Sequence, residues 1–324
     1  MDPDRRRLLA RSAAFGLAAG LSAAASAATA ATGTTGVATT TGATGPGPGA
    51  VIRKTIPSSG ETVAAIGVGT ARRYQGASGE EQLAPLRQSL QAFLDPGGTV
   101  VDTAPSYGNA EAVVGSLLDG ISPDKPVFLA TKLGATGRAA GLAQVEQSFR
   151  LLRRERLDLI AVHNLQDIAT QLPLLHELKQ ARRIRHVGAT TSSDRQYEAF
   201  EAMMKRETLD FIQVDFALDN RRAGERLLPL AKDRNMGVMI NLPFGRGRLF
   251  DATQGRPLPS WASEFDCRSW AQFFLKYIIS HEAVTCAIPG MAKPEYVIDN
   301  MAAATGRLPD PATRKRMESF IDAL

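Results

Sequence analysis

What most constrains this chain is an alternation that runs along most of its length. Short apolar runs lie at 99–102, 127–131, 157–162, 186–190, 211–214, 238–242 and 284–288. Gly67-Val68-Gly69-Thr70 adds one more strand end ahead of them. Longer stretches with helical spacing follow at 81–94, 110–119, 142–154, 168–183, 195–204, 221–234, 268–280 and 294–304. Short apolar runs bounded by turn residues read as buried strands, and apolar residues three and four apart read as one face of a helix. Eight strand–helix units in succession predict an α/β fold, a single (β/α)8 barrel spanning 51–324. Before the first unit, 51–56 and 62–66 flank Ser58-Ser59-Gly60 and predict an N-terminal hairpin.

The first 50 residues read differently. Arg5-Arg6-Arg7-Leu8-Leu9 resembles the twin-arginine export motif. The apolar run 13–25 is too short for a membrane span, and Ala25-Ser26-Ala27 offers a small-residue cleavage site. Residues 1–27 are therefore expected to be a signal peptide read by the twin-arginine export machinery. A periplasmic or secreted protein with no stable membrane insertion after signal removal follows. An ordinary secretory signal and a basic disordered tail are the alternatives. Residues 28–50 contain only Ala, Thr, Gly and Pro besides one Val, and predict a disordered low-complexity linker.

Composition adds limits. Apolar content of 44% and charged content of 22% are those of a globular protein. Of the net charge of +5, the leader carries +2, and the remaining +3 is too little to argue for nucleic acid. The two cysteines, Cys267 and Cys286, could pair in an oxidising compartment, but Cys286 falls in an apolar run and reads better as an inert core thiol. No cluster with metal-ligand spacing is present, and no Gly-rich dinucleotide fingerprint.

Chemistry concentrates at the ends of the apolar runs. Asp102 ends the run at 99–102, Lys132 directly follows 127–131, and His163 directly follows 157–162. Tyr107 lies five residues beyond Asp102, on a loop punctuated by Pro105 and Gly108. Lysine is rarely buried without a partner, and a carboxylate at a strand end must be solvated or paired. In a parallel barrel these strand ends form one face, on which active sites sit. Taken singly, a buried Asp or Tyr is more often structural; four such residues on one face read as a site.

These residues also carry a resemblance. Asp102-Thr103-Ala104, Tyr107-Gly108, Glu111 with Gly115, Ala130-Thr131-Lys132, the run ending His163-Asn164, Gln213-Val214-Asp215, and Ile288-Pro289-Gly290 with Asp299-Asn300 resemble, in order, the signature of the aldo-keto reductase family. The resemblance implies NADP-dependent reduction of an aldehyde or ketone. Tyr107 would give the proton, Lys132 would favour its phenolate, Asp102 would hold Lys132 charged, and His163 would orient the substrate oxygen. The histidine favours carbonyl over carbon–carbon double-bond reduction, since relatives reducing the latter carry Glu there.

The same resemblance assigns cofactor positions for NADP(H), with NAD(H) also allowed. Thr190, Thr191 and Gln213 would meet the nicotinamide amide. Pro243, Gly245 and Gly247 would approach the pyrophosphate, Lys293 the 2′-phosphate, and Asp299 and Asn300 the adenine. Thr191 replaces a family asparagine, and Asn241 a stacking tyrosine. Gly290 and Tyr296 replace a lysine and an arginine, with Arg246 and Arg248 as candidate substitutes. Ala71, followed by Arg72 and Arg73, stands where relatives often carry Trp. The long loop at 244–265 is expected to be functional. A monomer acting on a small-molecule carbonyl substrate is expected. A cofactor-binding sensor with little turnover and a barrel hydrolase or lyase are the competing readings.

Overall fold

The computed structural model describes residues 49–121 and 126–324. The signal peptide, the arginines in it and nearly all of the linker lie outside the described residues. Two short strands, β1 (Arg53–Thr55) and β2 (Thr62–Ala64), pair antiparallel with Arg53 opposite Ala64. Eight strands then form one parallel sheet in chain order: β3 (Val68–Gly69), β4 (Val100–Asp102), β5 (Phe128–Leu133), β6 (Leu157–His163), β7 (Ile184–Thr190), β8 (Phe211–Asp215), β9 (Gly237–Asn241) and β10 (Cys286–Ala287). Parallel bridges from Ile66 to Ala287 and from Gly69 to Gly290 join the first of these strands to the last, so the sheet closes. Gly69 is required at that seam, because a Cβ there would stand 2.8 Å from the Ile288 carbonyl oxygen.

Helices α1 (Gly79–Leu94), α2 (Ala110–Ile121), α3 (Arg138–Leu152), α4 (Ile168–Gln180), α5 (Tyr197–Arg206) and α6 (Ala223–Asp233) each follow a strand. A short α7 (Arg248–Thr253) and α8 (Trp270–Ile279) follow β9, and α9 (Pro294–Ala302) follows β10. The chain ends on α10 (Pro311–Asp322). Each expected helical stretch is matched to within a few residues. Two helices were not foreseen. The sequence reading treats 244–265 as loop throughout, yet α7 lies inside it. It also overlooks α10, although Asp310-Pro311 is a start signal: Pro fits the first helical position, and the Asp310 carboxylate accepts from the Thr313 N–H at 2.7 Å. Both cysteines are free and buried. Among the described residues no helix is long and apolar enough to cross a membrane.

Side chains alternate along each strand, and this alternation positions the site. Thr131 points outward and donates to Glu111 on α2 at 2.6 Å, so its neighbours Ala130 and Lys132 point inward. Low in the barrel the inward side chains are Val100, Phe128, Leu159, Phe211, Met239 and Cys286, which form one buried cluster. Ile56 and Val63 from the hairpin region belong to that same cluster, so hairpin residues help to fill the barrel's floor. One or two inward positions further along these strands stand Asp102, Lys132, His163, Gln213 and Asn241, joined by Thr190 at the end of β7. The interior thus grades from apolar at the base to polar at the mouth.

Candidate active site

The Lys132 ammonium is the centre of the mouth. It donates to both Asp102 carboxylate oxygens, at 2.9 and 2.7 Å, and to the Thr103 carbonyl at 2.9 Å. Lys132 is 3% and Asp102 4% exposed, so each needs the other's charge. Burial opposes the Lys132 charge, but the negative ends of Asp102 and Tyr107 outweigh it and hold its pKa above the ordinary lysine value. The carboxylate also accepts from Gln213 Nε2 at 2.9 Å, and Gln213 Oε1 accepts from the Thr190 hydroxyl at 3.0 Å. A chain of bonds therefore runs Thr190–Gln213–Asp102–Lys132 across the mouth.

Tyr107 and His163 face this chain. The Lys132 nitrogen lies 5.2 Å from the Tyr107 ring centroid. The Tyr107 and His163 rings stand edge to face, with centroids 6.3 Å apart. Burial first, and the Lys132 charge second, push the His163 pKa down to about 4, so its imidazole is neutral at pH 7. A neutral imidazole can offer one N–H to an oxygen without contributing charge. All four residues open into one cavity of about 600 Å³. It extends to Asn241, Arg246 and Phe250, and Arg72 and Arg73 line it as well. Four side chains from three successive strand ends thus converge on one space.

The remaining expected positions divide. Thr190, Gln213, Pro243 and Gly247 line this cavity. Thr191 is buried just outside it, with its hydroxyl 2.6 Å from Gln196 Oε1. Gly245 borders a smaller recess of about 190 Å³ and packs tightly on the Asp219 carboxylate. Its φ of 56° lies in the left-handed region that glycine adopts freely. Arg248 is paired with Asp219 at 2.8 Å, whereas Arg246 lines the cavity. Lys293 borders a neighbouring cavity over the Tyr296 ring. Asp299 accepts from Ser269 at 2.8 Å and from Gln272 at 2.7 Å, and Asn300 is buried beside it on α9. Sequence reasoning missed the bond from Gln213 to Asp102, which joins residues 111 apart in the chain, and the part played by Phe244 and Phe250 in the wall. It identified Asn241 as a replacement for an aromatic. It gave no sign that Asn241 would donate to the Thr191 carbonyl at 3.1 Å and leave its own buried Oδ1 without a partner.

Comparison with known proteins places the chain and its fold among known families. The model of the aldo/keto reductase family matches residues 65–319. The aldo-keto reductase YhdN of Bacillus subtilis is 31% identical over 177 residues, which are 50% of this chain and 53% of that protein. The chain thus spans about half the length of that relative. The NADH-specific methylglyoxal reductase of Escherichia coli is 23% identical over 70% of this chain and 85% of its own length. Among solved structures, an aldo/keto reductase from Klebsiella pneumoniae in complex with NADP and acetate superimposes with a TM-score of 0.69 at 28% identity, covering 81% of this chain and 93% of that one. An aldo-keto reductase from the same organism in complex with NADPH gives a TM-score of 0.69 at 26% identity over 84% and 95%.

Proposed function

This chain belongs to the aldo/keto reductase family, and we propose that it reduces an aldehyde or ketone to an alcohol with a nicotinamide cofactor. The observation that carries the proposal is the convergence of Asp102, Tyr107, Lys132 and His163 on one cavity. A carbonyl oxygen bound there needs a proton as its carbon is reduced. Tyr107 is the proton donor, because the Lys132 charge beside it favours the phenolate left behind. Asp102 keeps Lys132 charged and in place through two bonds. His163, neutral at pH 7, donates to the same oxygen and fixes its direction.

The residues present fit a nicotinamide dinucleotide. The cavity is long enough to run from Tyr107 to Arg246, and Asn241 Oδ1 is a buried acceptor without a partner at its edge. Gln213 retains one N–H of its amide beyond the bond to Asp102. Gln213 and Asn241 would hold the carboxamide, and Arg246 and the Gly247 backbone the phosphates, with Pro243 shaping the approach of the loop. The cofactor when bound supplies the hydride. We propose NADP(H), the ligand of the two Klebsiella proteins, with NAD(H) as the alternative that the Escherichia relative uses. Arg248 is held by Asp219, so Lys293 and Arg246 are the stronger of the three candidates for a 2′-phosphate.

Purified protein given NADPH or NADH and a panel of aldehydes should consume the nucleotide and yield alcohol. Nucleotide binding without turnover on any carbonyl would select the sensor reading instead. For location, we propose twin-arginine export, supported by Arg5-Arg6-Arg7 ahead of a mild apolar run. Replacing the three arginines with lysines should leave the protein in the cytoplasm; export at the native level would discard the proposal.

A further inference from the structure

Next to the catalytic cavity lies a second one, of about 440 Å³. The two share Arg72, Arg73, Gln75 and Gly290 as lining. Among the described residues the second is bordered in addition by Lys293 and Tyr296, and by no Asp or Glu side chain. Three cations therefore surround one space that opens on the site of chemistry. Among the described residues the guanidinium groups of Arg72 and Arg73 take part in no hydrogen bond or ion pair. This is unusual for the chain, whose other arginines often pair with acids, as Arg87 does with Glu80 and Arg138 with Glu177.

The loop that carries the two arginines is anchored. Tyr74 beside them is fully buried, and its backbone N–H bonds to the Thr70 carbonyl at 3.1 Å. Asn109 fixes the far side, accepting from the Gly76 N–H at 2.6 Å and donating to the Ala77 carbonyl at 2.9 Å. Arg72 has a φ of 64°, a left-handed conformation that a non-glycine residue holds only when its surroundings impose it. Gly290 leaves the space between the cavities open: a Cβ there would meet only Arg73 Cγ at 3.8 Å and the Gly69 carbonyl oxygen at 3.9 Å. The backbone of this loop is held in place while the Arg72 and Arg73 side chains are exposed and, among the described residues, unpaired, so their charge is left for an anion that enters the open cavity.

We propose that Arg72, Arg73 and Lys293 form an anion-binding annex to the catalytic cavity. It takes a phosphate or carboxylate group carried by a molecule whose reacting part lies beside Tyr107. The inference rests on the reductase reading for the second half of that statement. The anion has two sources, an acidic substrate or a phosphate of the cofactor, and the experiment separates them.

The test compares the wild type with Arg72→Ala/Arg73→Ala, and with Arg72→Lys/Arg73→Lys to keep the charge and control for folding. In the substrate arm, kcat/KM is measured for matched aldehydes with and without a carboxylate or phosphate. In the cofactor arm, dissociation constants for NADPH and NADH are measured by fluorescence, with no turnover required. A preference for the anionic partner in either arm should fall roughly tenfold or more in the alanine pair, the loss expected for charge-assisted bonds, and largely survive in the lysine pair. The arm in which it falls names the source. In a third measurement, inorganic pyrophosphate should raise the melting temperature of the wild type more than that of the alanine pair. Equal ratios in both arms, with an equal pyrophosphate shift, would overturn the annex. A pyrophosphate shift that depends on the two arginines, in a protein that binds no dinucleotide and reduces no carbonyl, would keep the annex and remove the reductase reading.

Discussion

The two ends of the barrel treat charge in opposite ways. At the base, Arg185 bonds Asp158 at 2.7 Å and also Glu61, and Lys179 bonds Asp210 at 2.6 Å. These carboxylates take backbone N–H groups as well, that of Leu129 on Asp158 and that of Val187 on Asp210, each at 2.8 Å. Charge there is satisfied within the fold and ties the starts of neighbouring strands together. At the mouth Lys132 pairs with Asp102 and Arg248 with Asp219, while Arg72, Arg73 and Arg246 face a cavity. The same strands and the same alternation build both ends. What separates them is whether a polar group finds its partner in the protein or keeps its bonds for a ligand, and that is what marks one end as structure and the other as site.

The sharpest way to break this contrast is at Tyr107. Tyr107→Phe keeps the ring and removes the proton donor. Turnover of a good aldehyde should fall about 10²–10⁴-fold, about 3–5 kcal/mol of barrier, while nucleotide affinity and melting temperature stay close to wild type. Wild-type turnover in steady-state assays would show that the mouth is not arranged around this phenol.

Lys132→Met should combine both kinds of loss. It strands Asp102 in a buried position, and removing one partner of such a pair costs about 3–5 kcal/mol of stability. Adding Asp102→Leu should recover much of that stability in denaturant unfolding, because the uncompensated charge is gone. It should not recover turnover. A double variant that is both stable and active would mean that the pair serves packing alone.

At the base the expected result is the reverse. Asp158→Ala leaves the Leu129 N–H without its acceptor and Arg185 with Glu61 alone. Unfolding should become easier by about 1–3 kcal/mol, with kcat per folded molecule unchanged. A fall in kcat as large as that of Tyr107→Phe would erase the distinction between the two ends.

Much of this was legible because the signals are periodic and local. Apolar runs and helical spacing repeat often enough that strands and helices fall where expected. A polar or charged residue ending an apolar run, as Asp102, Lys132 and His163 do, has few places to be except a strand end at the mouth. What was not legible depends on neighbours distant in sequence. Nothing near Gln213 says that its amide reaches Asp102, and nothing near Arg248 says that Asp219 holds it. The role of Ile56 and Val63 in filling the floor of the barrel is equally non-local. So is the placing of Arg73 beside Gly290, which depends on the first and last strands meeting at the seam.

The smallest expected effect lies at His186, the polar group at the base that departs from the pattern there. It is 4% exposed, stacks on Phe128 at 5.8 Å and meets Phe211 edge-on at 5.4 Å. Neither ring nitrogen makes a hydrogen bond, and Nε2 is 3.5 Å from Glu61. It behaves as a third aromatic ring of the floor. Burial is the main reason its pKa lies below the ordinary histidine value, with Arg185 adding to the effect and Asp210 and Glu61 opposing it. The folded state therefore binds this proton less readily than the unfolded chain does. Its contribution to stability is complete above about pH 6.5 and is lost as pH falls below that value towards the folded pKa. His163 and His281, both lowered to about 4, act in the same direction over the same range. His186→Phe removes two unpartnered nitrogens and adds a little volume, so stability at pH 7 should change by less than about 1 kcal/mol. Between about pH 6.5 and 4.5, above the range where most carboxylates titrate, the variant should lose less stability than the wild type. Unfolding curves at several pH values read both quantities. A large loss at pH 7, or an unchanged acid slope, would mean that His186 is bonded within the base network after all.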